Sequence, residues 1–166
     1  MTKTTKGIVA NALIAAIYFV LCIISAPIAY GAIQFRIAEL LVLLCFFRKY
    51  FVIGVTIGCF LANITSPLMF YDMIFGTLAT LVSALMVAYL SPRLLVAVIY
   101  PVIVNAFVVG AELYFVLSKP FWFSCLTVGL GELVVMVASY LIILAIMRRN
   151  FFKDLLKPNI HQSVTW

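Results

Sequence analysis

Charged residues are scarce in this sequence. Lysine, arginine, aspartate and glutamate together make up 10% of its 166 residues, whereas hydrophobic residues make up 67%. A water-soluble domain of this length needs many more polar side chains to cover its surface. The composition, with a mean hydropathy of +1.27, therefore excludes an ordinary soluble protein and predicts a single integral membrane bundle.

The residue types that carry catalysis or hold metals are also scarce. The one histidine, His161, lies in a polar C-terminal segment, and the four cysteines stand in apolar runs with no CxxC spacing: Cys22, Cys45, Cys59 and Cys125. There is no Ser/His/Asp grouping and no phosphate-binding loop. The sequence therefore predicts a protein that is not an enzyme and has no metal or cofactor. The basic residues are scattered and form no basic face, so nucleic acid is not an expected partner.

Long apolar runs divide the chain into six segments. They lack the alternation of barrel strands, and open strands cannot span lipid, so the segments are predicted to be helices. The fold class predicted is an all-α membrane protein, a single domain of six transmembrane helices. These helices are predicted over 8–30, 33–47, 50–64, 69–90, 94–117 and 121–147, with a tail over 148–166. The second and third segments are short against the roughly 20 residues of a straight span.

The basic residues predict the orientation of the helices. With both termini cytoplasmic, nine of the eleven basic residues lie on the inner side, as positive charges do in membrane proteins. Those nine are Lys3, Lys6, Arg48, Lys49, Arg93, Arg148, Arg149, Lys153 and Lys157. Only Arg36 and Lys119 then lie on the outer side, and the tail is cytoplasmic.

Most acidic residues fall in the outer half of this arrangement. Four of the five do so: Glu39, Asp72, Glu112 and Glu132. A charged side chain at a helix centre costs roughly 2.5 to 3.5 kcal/mol on insertion scales, so such a residue normally has a partner or a function. Asp72 could interact with the amino end of its own helix, Glu39 could pair with Arg36 three residues away, and Glu112 could reach the outer interface. Glu132 has no such exit.

Helical spacing groups further polar residues with these acids. Asn105 and Glu112 are seven residues apart, which places them on one face about 10 Å apart along the helix axis. Aromatic residues crowd the outer helix ends, and Tyr71, Tyr114 and Trp122 are candidates to stack on a flat ligand. The pattern favours an outward-facing, negatively charged pocket for a small planar molecule that is cationic or rich in hydrogen-bond donors.

The first helix carries a face of small side chains. Ala12 and Ala16 are four residues apart, a spacing that permits close approach of another helix. Packing inside the bundle is the alternative explanation for this face.

Four stretches of the sequence resemble a known family. They are "SAPIAYGAIQFRIAELLVLL", "GCFLANITSPLMFYDMIFGTLATL", "PVIVNAFVVGAELYF" and "PFWFSCLTVGLGELVV". In this order, and with the Q-x-R-x-x-E core of Gln34, Arg36 and Glu39, they resemble the QueT group. These proteins are the queuosine-precursor S components of energy-coupling factor (ECF) transporters. The chain departs from the group's pattern at Ala38, where serine is expected, and at Cys45, where proline is common.

The resemblance implies partners, a substrate and a location. An S component of this kind lies in the bacterial cytoplasmic membrane and binds its ligand at the outer side. It docks on a membrane-embedded T component that carries two cytoplasmic ATPases, and Ala12 and Ala16 would contact the T component. Substrates of the group are deazaguanines such as queuine or its aminomethyl precursor. The residue pattern and the resemblance together give these substrate-binding candidates: Gln34, Arg36, Glu39, Tyr71, Asp72, Asn105, Glu112, Tyr114, Trp122 and Glu132.

The chemistry of a deazaguanine fits these side chains. Its ring NH and exocyclic amine are parallel donors that one carboxylate can accept, and Glu132 is the choice for this role. The amine of the aminomethyl precursor would pair with Glu112, or with Asp72 instead. Other readings stay open: an S component for another flat cationic vitamin such as thiamine, an ion-coupled transporter with Glu132 as the titrating carboxyl, or an assembly factor without a ligand.

The orientation can be tested by labelling. In a background without the four native cysteines, single cysteines at Asn159 and Lys119 are expected to react from opposite sides of the membrane, because the charge asymmetry places them there. The measurement is labelling of intact cells with an impermeant maleimide. Reaction of both cysteines from outside would contradict the orientation.

Overall fold

Every regular element in the described part of the chain is a helix. The computed structural model describes residues 3–29 and 35–148. Its six helices are α1 (Lys3–Ala29), α2 (Ile37–Phe47), α3 (Phe51–Asn63), α4 (Met69–Tyr89), α5 (Leu94–Leu117) and α6 (Phe121–Met147). The bounds of α5 and α6 coincide with the predicted ones, because turn-forming and charged residues flank both apolar runs. The predicted tail lies outside the described residues after position 148.

Four of these helices are long and apolar enough to cross a membrane. They are α1, α4, α5 and α6. By contrast, α3 has 13 residues, or about 20 Å, against a hydrocarbon core of about 30 Å. The shorter α2 is broken into a 3₁₀ turn over Ile37–Leu41 and one α-helical turn over Leu44–Phe47. The six predicted helices are therefore present in the described residues, but four of them are long enough to cross a membrane and the other two are shorter than a span.

The short α2 forms the centre of the bundle. Val42, Leu43, Cys45, Phe46 and Phe47 are all completely buried, and they pack in one core with residues of α1, α3, α4, α5 and α6. A helix that is hydrophobic on every side is buried on every side. The sequence alone does not distinguish this case from a lipid-facing span, because both are uniformly apolar.

Small residues bring the helices into close contact. Where α3 crosses α1, a Cβ on Gly58 would lie 2.7 Å from Cβ of Tyr18 and 2.9 Å from the Ala15 carbonyl oxygen. One turn earlier, the Gly54 N–H donates a 2.8 Å hydrogen bond to Oδ1 of Asn11. Close packing of this kind stabilises helix pairs in lipid, where apolar side chains gain nothing by leaving the hydrocarbon.

The same device fixes the position of α5 against α6. A Cβ on Gly110 would lie 2.6 Å from Sγ of Cys125, and a Cβ on Gly129 would lie 3.2 Å from Cβ of Ala106. These two contacts set which residues of the antiparallel helices stand at the same depth. A residue of α5 and a residue of α6 therefore lie at the same depth when their residue numbers add up to about 235.

Apolar side chains cover the outside of the bundle. On α1, Ile8, Val9, Leu13 and Ile24 are all more than half exposed. Such a surface suits lipid and not water. The described acidic residues, by contrast, are all buried inside.

The packing of α1 on α3 can be tested with alanine substitutions. Gly58→Ala is expected to lower the free energy of unfolding by about 1 to 3 kcal/mol, because the new methyl group has no room and backbone atoms must move. Gly7→Ala is the matched control, since nothing lies within 4 Å of a Cβ at Gly7. The measurement is thermal unfolding of the two purified variants in detergent. Equal melting temperatures would contradict this packing.

Candidate functional site

A buried ion pair links the segment before α2 to α4. Nη2 of Arg36 donates to Oδ1 of Asp72 at 3.2 Å, and both side chains are almost inaccessible to solvent. Arg36 therefore pairs across the bundle, and not with Glu39 as their spacing allowed. Gly76 makes room for the guanidinium, because a Cβ there would lie 3.0 Å from Nη1.

A wide helical turn begins at Asp72. Residues Asp72–Gly76 form a π-helical turn inside α4, a local irregularity that is frequent at functional sites. Nδ2 of Asn63 donates to the Asp72 carbonyl oxygen at 2.8 Å, and the Ser66 hydroxyl donates to the second carboxyl oxygen. Asp72 is thus held from three directions, and its carboxyl group, in the first turn of α4, bonds to the side chains of Arg36 and Ser66.

Glu39 is held by two helices and keeps one carboxyl oxygen free. The side chain is completely buried. Its Oε1 accepts hydrogen bonds from the Tyr18 hydroxyl of α1 at 2.5 Å and from Oγ1 of Thr80 of α4 at 2.7 Å. Its Oε2 has no partner. The 3₁₀ turn of α2 therefore fixes a carboxylate in the bundle interior with one acceptor available.

The two acidic residues of α5 and α6 are buried at different depths. The packing of Gly110 on Cys125 and of Gly129 on Ala106 places Glu112 level with Ser124. By the same register, Asn105 stands about two residues, or roughly 3 Å, from the level of Glu132. Glu112 and Asn105 are both buried, so the Glu112 side chain does not extend to the surface of the bundle. The site therefore has two levels: we call the level of Glu112, which is nearer the α5–α6 connection, the outer level, and the level of Glu132, which is farther from that connection, the inner level.

Arg36 is the cation that acts on all four buried carboxyl groups of the described residues. Arg36 interacts electrostatically with Asp72, Glu39, Glu112 and Glu132. With every group ionised, the cluster would carry four negative charges against one positive charge. An uncompensated buried charge is costly. The cluster therefore requires protons or a ligand that brings positive charge or hydrogen-bond donors.

Unpartnered polar atoms concentrate in this part of the bundle. Buried polar groups in proteins are nearly always hydrogen-bonded. In the described residues, buried side-chain atoms without a partner include Nη1 of Arg36, Oε2 of Glu39, both amide atoms of Asn105, both carboxyl oxygens of Glu112, Oε1 of Glu132 and the hydroxyls of Ser83 and Ser124. A small polar ligand between α5 and α6 would give hydrogen-bond partners to five of these atoms: the two amide atoms of Asn105, the two carboxyl oxygens of Glu112 and Oε1 of Glu132.

The aromatic candidates lie elsewhere. Tyr71, Tyr114 and Trp122 are 45%, 47% and 74% exposed. Tyr71 packs edge-on against Phe70, and Tyr114 packs against Phe115 and Phe121. The structure does not direct these rings into the buried cluster. Their place at the helix ends is typical of the aromatic belt at a membrane interface, where rings with one polar edge are favoured.

Several contributors to the cluster were not predicted from the sequence. Tyr18, Asn63, Ser66 and Thr80 hold Glu39 and Asp72 in place. Each of these residues is a polar side chain in an apolar stretch of the sequence. This pattern could have identified them, because a buried polar side chain needs a hydrogen-bond partner. Gln34, which was predicted to bind substrate, lies outside the described residues.

The small-residue face of α1 lies on the surface of the described bundle. Ala12 and Ala16 are exposed, whereas Asn11, Ala15 and Tyr18 turn toward α3. Ala12 borders an open apolar groove of about 460 Å³ between α1 and α3. In the described part of the chain these two side chains thus lie on the surface of the bundle, which favours a contact with another helix over packing inside it.

Comparison with known proteins identifies relatives. The sequence model of the family described as "QueT transporter" matches residues 8–148. The chain is also 34% identical over 145 residues to the queuosine precursor transporter QueT of Lactococcus lactis subsp. cremoris (strain MG1363), covering 77% of this chain and 84% of that protein. No solved structure gives a significant match. With the family match extending over most of the chain, and with its apolar helices, this multi-pass membrane protein belongs to the QueT transporter family.

Proposed function

We propose that this protein is the substrate-binding S component of an ECF-type importer and binds queuosine precursors. One observation carries the proposal: the described interior holds buried carboxyl and amide atoms without hydrogen-bond partners, and Arg36 is the cation that acts on its carboxyl groups. A ligand that offers several donors and a positive charge satisfies these atoms, and an anion does not. The relative from Lactococcus lactis is named for transport of such a precursor.

The two levels of the site suit the two ends of an aminomethyl deazaguanine. At the inner level, the Glu132 carboxylate accepts the ring NH and the exocyclic amine side by side, and the neighbouring Asn105 amide offers one more donor and acceptor. At the outer level, Glu112 and Asp72 receive the side-chain ammonium. Nη1 of Arg36, which has no partner, can donate to the exocyclic oxygen of the base. Stacking of Tyr71, Tyr114 and Trp122 on the base, which the sequence predicts, would require these exposed rings to turn inward.

Delivery of the ligand requires other subunits in this proposal. The T component docks on Ala12 and Ala16, whose exposure leaves space for another helix to approach closely. Two cytoplasmic ATPases attached to the T component supply the energy. The protein lies in the bacterial cytoplasmic membrane with both termini inside, so Asp72 and Glu112 face the outer mouth of the site.

Two other functions compete with this one. An S component for thiamine would use the same carboxylates for a different flat cation, and a panel of ligands on the purified protein separates the two. In an ion-coupled transporter, the buried Glu132 would bind and release protons. That reading requires transport by this chain alone in proteoliposomes.

The base-edge role of Glu132 can be tested by calorimetry. Glu132→Gln keeps the shape and replaces one acceptor oxygen with an amide, so it is expected to weaken queuine, the aminomethyl base and a neutral deazaguanine alike. Loss of a buried charge-assisted contact typically costs about 2 to 5 kcal/mol, which is roughly 30- to 4,000-fold in affinity. Unchanged affinity would contradict the role given to Glu132.

Glu112→Gln is the matched variant at the outer level. It is expected to weaken only ligands with an amine, because the neutral analogue has no charge to pair there. A similar loss for all three ligands would contradict the division of the site into two levels. Melting temperatures of both variants without ligand show whether either has failed to fold.

The partner face can be tested with a bulky side chain. Ala16→Trp is expected to prevent assembly with the T component and the ATPases and to abolish uptake, while ligand binding by the isolated protein persists. Ile17→Trp is the control, because it stands at the same depth but about 100° around the helix. The measurements are co-purification and uptake by cells. Assembly by both variants would remove this face from the interface.

A further inference from the structure

A second groove lies at the end of the bundle that is remote from Asp72. It is an open cleft of about 550 Å³ between the start of α3 and the end of α4. Its lining residues are Arg48, Lys49, Tyr50, Val52, Ile53, Leu85 and Tyr89. Two cations and two tyrosines stand at one end of this lining, and aliphatic side chains form the rest.

The charged side chains among the described residues that line this groove are basic, Arg48 and Lys49. The acidic residues in the described part of the chain are all buried elsewhere in the bundle. Nζ of Lys49 lies 4.4 Å from the ring centroid of Tyr89, an arrangement that holds an ammonium group over an aromatic face. Arg93 is exposed in the connection that follows Tyr89, and its charge adds to the same region. An anion is therefore the favoured occupant.

The walls of the groove extend from this charged end along the lipid-facing surface. Ile53 and Leu85 are both exposed and stand one turn farther along α3 and α4 than Lys49 and Tyr89. The tyrosine pair marks the level of the membrane interface, where such rings are favoured. A molecule that fits this combination has an anionic head at the interface and a hydrocarbon tail beside it.

We propose that this groove is a binding site for an anionic phospholipid. The phosphate lies beside Lys49 at the charged end of the groove, the tyrosine hydroxyls are available to the headgroup, and an acyl chain packs along Ile53 and Leu85. Basic pockets between membrane helices bind anionic headgroups by this chemistry. The site is separate from the buried carboxylate cluster, so the proposal does not depend on the substrate.

Native mass spectrometry of the full chain in nanodiscs tests the proposal. The probes are dioleoyl phosphatidylglycerol and dioleoyl phosphatidylcholine in equal amounts. The parent protein is expected to retain the anionic lipid preferentially. Lys49→Gln is expected to reduce that retention about fivefold, the effect of one basic residue near a lipid surface, and Lys49→Arg is expected to restore it. Lys119→Gln, which makes the same charge change in the α5–α6 connection, is the control.

Four results would overturn the lipid assignment. The first is equal retention of both lipids by the parent protein. The second is an equal loss in Lys49→Gln and Lys119→Gln, which would indicate general attraction to a charged surface. The third is full competition by soluble glycerol 3-phosphate, which would indicate a site for a free phosphate with no use of the apolar walls. If only the assembled transporter protects Lys49 from acetylation, and the lipid does not, the groove receives an acidic segment of a partner protein instead.

Discussion

A single buried arginine organises the interior of this protein. Arg36 forms an ion pair with Asp72 and acts electrostatically on Glu39, Glu112 and Glu132, so it partly neutralises carboxyl groups from four different helices. Removing one partner of a buried pair leaves an uncompensated charge, which is more costly than never having formed the pair. The surrounding structure follows from this constraint: Gly76 leaves space for the guanidinium, and Asn63 and Ser66 hold Asp72 in place.

The remaining negative charge is what makes the interior suitable for a ligand. Glu39 is already held by Tyr18 and Thr80, so its position does not depend on an occupant. Neither carboxyl oxygen of Glu112 makes a hydrogen bond of ordinary geometry, although Asp72 is close enough to interact with it. The cluster thus combines carboxylates fixed by the protein with carboxylates available to something else. Such preorganisation lowers the cost of binding, because few side chains must be ordered when the ligand arrives.

The sequence predicted the long helices and the identity of the buried acids, because both depend on local features. The apolar run between Arg93 and Ser118 defines α5. An acidic residue in a helix that is long enough to span the bilayer is normally buried, and it has a partner or a function. The partner of Arg36 could not be predicted, since Asp72 is 36 residues away and Glu39 has the better local spacing. The aromatic rings of Tyr71 and Trp122 were ambiguous for another reason. A membrane belt and a stacking site use the same residue types at the same helix ends.

The central position of α2 has a consequence for biosynthesis. This segment is too short to cross the bilayer, and its own backbone groups are satisfied only in part by one 3₁₀ turn and one α-helical turn. The Leu40 carbonyl oxygen accepts a hydrogen bond from Ser139, a residue made 99 positions later. Leu94 and Met136, which share its core, also follow it in synthesis. The interior of the protein is therefore completed only when the last helix arrives, and a chain truncated before α6 would leave its central, most deeply buried helix without its native surroundings.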